Sequence, residues 1–591
     1  MCKAATPSPS SWTFNDAYRE LREQLKTSVP AIVGMLINKI PWLLSLHFVG
    51  QIGEPELAAA ALATTLCNVT GMSLSVGLSS GMSTLTGQAR GKQALLLIQK
   101  QQGDIRKDDD SDQETLISQD EDDDASLPQT VEHETLISKN EEGVRIINPS
   151  AECKDKPAIT PLMSLVYLYR GLAVQLLFVL PVGIWWLTGI ESFLLALGQG
   201  PELSRMTQDY LRILVPGLWA YSINWTMTTW LHAMEMADVP ASAAAVASLL
   251  HIPFNLLLIP RLGYLGVGVA TVLTQSIQPF YQMYYLLTQR GSERVLKQMM
   301  APPTSHLSFW LEASLAIQSM SGILRYLSLA LPGIVIISEW WASEISIFLS
   351  GTLAPWPEAA LGGMTLYQSI NTFFFMFPMG CSVAGATRVG KALGAGDARA
   401  ASMSATVSVS TAALLSFGMG SFLYFAPHTM LPSLFTREPD VVHQASQLIT
   451  LLAFYVFADG VQAALNGIIR GCGRQCVIMP VVVVAYWVVG LPLSYYWAFM
   501  RHDGYMCDDS PTCGVNGLVM GMTIGTWTHM LLMLLLVVAT TDWEIQSERA
   551  IQRLAQDDTT INDTKPTTLQ IKEQSAIKPT IESSTVCVIQ L

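Results

Sequence analysis

Twelve apolar stretches, each long enough to cross a bilayer, constrain this chain more than any other feature of it. Crossing the hydrocarbon takes about 20 apolar residues in a helix. With no water in that layer, every backbone N–H and C=O must be satisfied inside the segment, which leaves helices or closed barrels. The stretches lie near residues 29–51, 60–86, 163–189, 207–231, 239–260 and 264–288, then 324–351, 361–387, 402–426, 446–469, 477–500 and 515–540. Only 14% of the 591 residues are charged and 50% are hydrophobic, against roughly 25% charged in a soluble domain. The expected fold class is an all-α polytopic membrane protein.

The net charge of −13 comes largely from a polar insertion and the C-terminal tail, and there is no nucleic-acid footprint. Basic residues near the helix ends set orientation. With the N-terminus in the cytosol, Arg19, Arg22, Lys26, Arg90, Lys92, Arg290, Arg294, Lys297, Arg388, Lys391, Arg399, Arg470, Arg474, Arg549 and Arg553 all fall inside and far fewer, such as Arg205, Arg261, Arg437 and Arg501, outside, so both termini are expected to be cytosolic. The first helix is expected to serve as the targeting element, because the first 26 residues are polar and lack the pattern of a cleaved signal peptide. Of nine cysteines, Cys507 and Cys513 share one loop on the outer side, where a small disulfide and two free thiols stand as even alternatives.

The chain carries its architecture twice. FVGQIGEPELAAAAL with a glycine-spaced helix and GQARGK (48–92) parallels FLSGTLAPWPEAALGGMTL with a long helix and RVGKALGAGD (348–397). VPASAAAVASLLHIPFNLLLI followed by GVGVA (239–270) parallels IMPVVVVAYWVVGLPLSYYWA followed by GVNGLVMG (478–521). Two repeats of six spans insert in the same orientation, which places a pseudo-two-fold along the membrane normal and a site between two lobes. The division reads as a cytosolic segment 1–27, an N-lobe 28–290, an inter-lobe cytosolic loop 291–322, a C-lobe 323–541 and a disordered cytosolic tail 542–591. Ser73, Gly77 and Gly81 recur every fourth position, as close-packing helices require, and Gly390 to Gly396 read as a tight turn.

Residues 98–160 interrupt the N-lobe with an acidic stretch too polar to form a core, expected to be disordered. ETLIS occurs in it twice. Asp112 with Leu116 and Ile117, then Glu132 with Leu136 and Ile137, each complete the acid-x-x-x-Leu-Ile pattern of sorting signals read by clathrin adaptors. The alternative is a duplicated, solvated linker.

Charged residues at membrane depth are costly and mark ion or proton pathways. Glu339 and Asp459 sit mid-span, too deep to reach an interface. Glu344 follows Glu339 by five residues, about 140° round a helix, so the two glutamates play different parts. Lys39 lies about ten residues from either end of its helix, roughly 15 Å from water; it is expected to pair with an acid such as Asp459, or to recognise the acidic group of a substrate. By pseudo-symmetry Asn38 corresponds to Glu339. Trp340 and Trp341 offer aromatic faces to an organic cation or simply pack. There is no metal-spaced motif or His-rich helix, and an intramembrane enzyme or a non-transporting scaffold is the minor alternative.

EWWASEISIFLSG with Pro332 ahead of it, NVTG and GQARG, VPGLWA, RVGKALGAGD and GIIRGCGRQ, in this order at these helices, together resemble the multidrug and toxic compound extrusion (MATE) family in its eukaryotic branch. The resemblance covers nearly everything except the insertion and the termini. It implies twelve transmembrane helices in two pseudo-symmetric six-helix lobes around a central V-shaped cavity. It also implies that Glu339, Glu344 and Asp459 handle protons and cations, with Asn68, Gln88, Asn255 and Gln275 as supporting cavity residues. The acid that bacterial members carry in the first helix falls at Ser45, and one that some animal members carry in the eighth falls at Gln368. The expected activity is proton-coupled export of organic cations, with export of organic anions as the rival, no cofactor beyond protons, and residence in the plasma membrane or a vacuolar or endosomal membrane.

Overall fold

The computed structural model describes residues 12–117, 162–299, 309–436, 438–507, 510 and 512–564. The chain divides into a body of residues 1–94 and 162–565 and a second unit of residues 95–161 and 566–591. Ten helices are long and apolar enough to span a membrane among the described residues. The other two expected spans are also helical, but rich in Gln, Asn, Thr and Tyr, and do not belong to the ten.

In the N-lobe, α1 runs Phe14–Gly50. It starts well before the apolar stretch because Thr13 and Asp16 form a reciprocal cap, each side chain accepting the other's backbone N–H at 3.2 Å. A nearly continuous rod follows, with α2 (Glu54–Cys67), a π-helical turn (Asn68–Met72), α3 (Ser73–Leu78) and α4 (Ser80–Ile117). Helix thus extends into the stretch read as a disordered insertion, through residue 117. The first Leu-Ile pair falls at its end, and the second, with Glu132, lies outside the described residues. The lobe is completed by α5 (Met163–Thr188), α6 (Ile190–Ala196), α7 (Pro201–Ala233), α8 (Asp238–Leu262) and α9 (Tyr264–Leu287).

The inter-lobe segment is not merely a loop, since α10 (Gln289–Gln298) and α11 (Phe309–Gln318) lie in it. The C-lobe comprises α12 (Met320–Ser350), α13 (Pro357–Gly394), α14 (Ala398–Phe425), the short α15 (Pro432–Phe435) and α16 (Pro439–Cys472). Next come α17 (Gln475–Val482), a π segment (Val483–Gly490), α18 (Leu491–Tyr495), a second π segment (Tyr496–Arg501) and α19 (Gly514–Thr540). Gly390 and Gly394 lie within α13, so the turn expected there reduces to the left-handed Gly396 just after it, at φ +80°. Cys507 and Cys513 are disulfide-bonded.

The expected disordered tail instead begins as a helix, α20 (Trp543–Thr564). It is amphipathic and bridges the lobes: Leu554 joins the apolar cluster of α4, α5 and α7, and Ala550 joins that of α13, α14 and α16. Its charged side does the same. Asp557 is 1% exposed and accepts the Tyr167 hydroxyl of α5 at 2.6 Å, while Arg325 of α12 bonds it and Arg170 of α5 lies 3.8 Å away. A polar sequence was read as disorder, but half of it is one face of a docked helix.

Candidate functional site

The lobes close on each other at the face where α20 lies, hereafter the basic face. Glycines let the backbones meet there: a Cβ on Gly77 would sit 2.7 Å from Ile334 Cα, and one on Gly91 1.9 Å from Lys391 O. Ser73, Gly77 and Gly81 therefore form the seam between lobes. Hydrogen bonds follow that seam. Trp341 Nε1 donates to Ser73 Oγ at 3.1 Å, Tyr326 Oη to Leu78 O at 3.0 Å, Gln475 Nε2 to Thr84 Oγ1 at 2.8 Å and Gln88 Nε2 to Gly471 O at 3.0 Å. A charged lattice completes the closure. Arg388 clasps Glu20 of α1, and Glu235 meets Arg90 at 3.0 Å and Lys391 at 3.4 Å. Burial opposes charge on Glu235, but Arg90 and Lys391 overcome it and hold the carboxyl down at about 2. Its backbone has φ +57°, a conformation such a residue keeps only where its surroundings fix it.

No such bonds join the lobes beyond Ser73 and Trp341 among the described residues. There the ends of α1 and α2 pack with α5 to α7, and those of α12 and α13 with α16 and α19. The chamber thus opens away from the basic face. A recess of about 340 Å³ in it is lined by Val69 of the N-lobe and by Trp341, Glu344, Ile345, Phe348 and Trp487 of the C-lobe. A smaller cavity of about 80 Å³, lined by Asn38, Ser79, Asn224, Trp225, His232 and Arg470 among others, lies on the basic side.

Inside the C-lobe, α12, α16, the first π segment and α19 together build a polar cluster, α16 supplying two of its members. Glu339 Oε2 lies 3.5 Å from Nδ1 of His529, which is fully buried, and neither ring nitrogen of His529 has a hydrogen-bond partner. The Tyr486 ring stands edge-on to the imidazole, with centroids 5.6 Å apart. Asp459, 6% exposed, accepts from Gln462 Nε2 at 2.9 Å, and that amide also reaches Tyr486 Oη at 3.1 Å. Glu339 and Asp459 interact electrostatically. A carboxylate and an imidazole this close, with both ring nitrogens unbonded, are placed for a charge-assisted hydrogen bond.

The N-lobe repeats this arrangement without charge. Gly266 and Gly517 open corresponding runs of α9 and α19, and Gln278 and His529 each stand twelve residues on. Gln278 Nε2 donates to Asn38 Oδ1 at 2.9 Å, so a neutral amide pair occupies the place of Glu339 and His529. Asn224 and Gln282 extend it. Nearby, Ser45 bonds the buried His251 at 3.1 Å.

The family model MatE matches residues 30–101, 162–257 and 333–496. The chain belongs to the MATE family. Its relatives are transporters, not enzymes. Protein DETOXIFICATION 13 of Arabidopsis thaliana is 25% identical over 92% of this chain and 95% of its own length. Multidrug and toxin extrusion protein 1 of Homo sapiens is 26% identical over 86% of this chain and 73% of its own length. The crystal structure of the eukaryotic MATE transporter AtDTX14 superposes with a TM-score of 0.69 at 22% identity, covering 91% of this chain and 99% of that one. A MOP superfamily transporter from Pyrococcus furiosus reaches 0.63 at 16% identity, covering 90% and 97%.

In this MATE transporter the expected site residues separate into three groups. Glu339 and Asp459 come together in the C-lobe cluster. Glu344, on another side of α12, lines the recess with Trp341; Trp340 is exposed, and Gln368 is half-buried. Lys39 does not pair with Asp459, as expected from depth alone: its electrostatic partner is Glu344. Gln88 is not a cavity residue, being fully buried with its oxygen taken by Arg553 at 2.7 Å. Asn255 is likewise buried, its amide donating to His251 O at 2.8 Å. Gln275 packs beside Gly217, and Asn68 is half-buried at the π turn. Sequence reasoning missed His529, Gln462, Tyr486, Glu20 and Glu235. The lone His in GTWTHM, inside an otherwise apolar span, was a readable signal; the others lacked one.

Proposed function

We propose that this MATE-family transporter is a proton-coupled antiporter that exports organic cations by alternating access. In this reading the C-lobe cluster of Glu339, His529 and Asp459 takes up a proton from the open chamber, and the same negative charge attracts substrate. Proton and cargo then occupy the cluster in turn, and protonation releases the cargo. The observation that supports it is the buried Glu339–His529 contact at 3.5 Å, beside a second carboxylate that only a neutral amide bonds. Each pH unit across the membrane supplies about 1.36 kcal/mol per proton, enough for roughly tenfold accumulation in one-for-one exchange. Closure at the basic face fits the outward-open half of such a cycle, with that face cytosolic.

The test is dye efflux from vesicles with an imposed pH gradient, comparing wild type with Glu339→Gln. Gradient-driven flux abolished by the substitution supports the reading; flux unchanged by it refutes the assignment. Export of organic anions is the second reading, favoured by Lys39, a cation in the middle of α1 at membrane depth. For location, we propose an endosomal, vacuolar or plasma membrane, with adaptor recognition of the two Leu-Ile pairs. Replacing Leu116, Ile117, Leu136 and Ile137 by Ala then moves the protein to the cell surface, and an unchanged distribution removes the idea.

A further inference from the structure

One helix holds both lobes at the basic face. The 22 residues of α20 make about 33 Å of helix and are fastened to the C-lobe at their start. Asp542 Oδ1 accepts from the N–H groups of Glu544 and Ile545 at 3.0 and 3.2 Å, and Arg474 binds the preceding Thr540 and Thr541 hydroxyls at 3.0 and 3.1 Å. Ser547 Oγ donates to Leu393 O of α13 at 3.3 Å, and Ala550 packs among α13, α14 and α16. Beyond it the partners change. Arg553 Nη1 donates to Gln88 Oε1 of α4 at 2.7 Å, and Leu554 enters the apolar cluster of α4, α5 and α7. Asp557 accepts from Tyr167 of α5 at 2.6 Å, with Arg170 of the same helix 3.8 Å away and Arg325 of α12 as its C-lobe partner. The amide N–H of Gln88 goes to Gly471 O of α16, so both ends of this N-lobe side chain are bonded to residues that follow the C-lobe.

The two sets of contacts differ in what they do to an opening at this face. A straight helix cannot follow two bodies that move apart, and α20 is joined to α19 of the C-lobe through Thr541 and Asp542 alone. Its first half therefore travels with the C-lobe and keeps its contacts, while Arg553, Leu554 and Asp557 lose theirs to α4 and α5. An interaction made in one of two states shifts the equilibrium between them by its full worth, and one made in both shifts nothing. The N-lobe contacts of α20 thus favour the closed state alone.

We propose that α20 is an autoinhibitory latch: the transporter opens at the basic face only when Arg553, Leu554 and Asp557 leave α4 and α5. This goes beyond the transport reading above and requires of it only that the lobes part at this face. The test reads that parting directly. Nitroxides are attached at Ser242→Cys of α8 and Thr406→Cys of α14, exposed residues near the basic-face ends of the two lobes. The full chain is placed in nanodiscs with Cys2, Cys153, Cys476 and Cys587 replaced by Ser, and double electron–electron resonance gives the ratio of open to closed distances. Arg553→Met and Tyr167→Phe each remove one hydrogen bond to a charged group and should raise that ratio about tenfold. A chain ending at Asp542 should raise it further. Ser547→Ala loses a bond that both states keep and should leave the ratio at the wild-type value, which separates a latch from general loosening. A ratio unmoved in both Arg553→Met and Tyr167→Phe overturns the latch, whether or not the shortened chain folds. A shift in Ser547→Ala equal to that in Arg553→Met also overturns it. Absence of gradient-driven flux with these shifts intact overturns only the proton coupling.

Discussion

Asp557→Asn probes how α20 is held. The carboxylate is 1% exposed and faces two arginines, Arg325 at 24% exposure and Arg170 at 1%. Asparagine keeps the shape and the acceptor for Tyr167 but removes the only negative charge bonded to either guanidinium among the described residues. Removing one partner of a buried ion pair costs about 3–5 kcal/mol. Arg325 can turn partly to water and Arg170 cannot, which places the expected loss near the lower end, ~3 kcal/mol. Leu554 and Ala550 remain as apolar anchors, so the helix is loosened rather than lost. Amide exchange reads such local opening directly. At 1.36 kcal/mol per decade, peptides from residues 543–564 should exchange about a hundredfold faster in the variant. Tyr167→Phe removes one hydrogen bond to a charged group, worth about 1.5 kcal/mol at the low end, and should accelerate the same peptides about tenfold. Unchanged exchange in Asp557→Asn would mean that the arginines are neutralised elsewhere and that the ion cluster does not fasten α20.

Two further perturbations test the basic face. Burial pushes the Glu312 carboxyl of α11 up to about 7, against the Leu162 N–H that bonds it. Its usual value is 4.5, so the unfolded chain loses this proton first, and stability falls as pH rises from about 4.5 to 7, by up to ~3 kcal/mol. Glu312→Gln should therefore raise the melting temperature relative to wild type at pH 8 but not at pH 5, and parallel melting curves across that range would refute it. Gly91→Ala places a methyl 1.9 Å from Lys391 O, on backbone that can yield only if the lobes separate. Overpacking of about 1–3 kcal/mol is expected, seen as faster amide exchange in residues 390–396; a variant with wild-type exchange and flux would show that the seam is not tight.

Membrane class, the doubled lobes and the depth of Glu339, Asp459 and Lys39 followed from the sequence, because hydrocarbon demands long apolar helices and makes every buried charge conspicuous. Helical rotation alone also separated Glu339 from Glu344. What each charge meets was decided by tertiary structure. His529 is remote from Glu339 in the chain and becomes its partner only where α19 packs against α12, and Lys39 has Glu344 rather than Asp459 as its electrostatic neighbour. Gln88 and the glycines of GQARG and RVGKALGAG carry no mark telling a cavity or a turn from a seam. The polar stretch after residue 542 becomes a helix only because both lobes offer it an apolar groove and two arginines. Local composition fixes what a segment can bury, while partner choice depends on which faces the fold brings together.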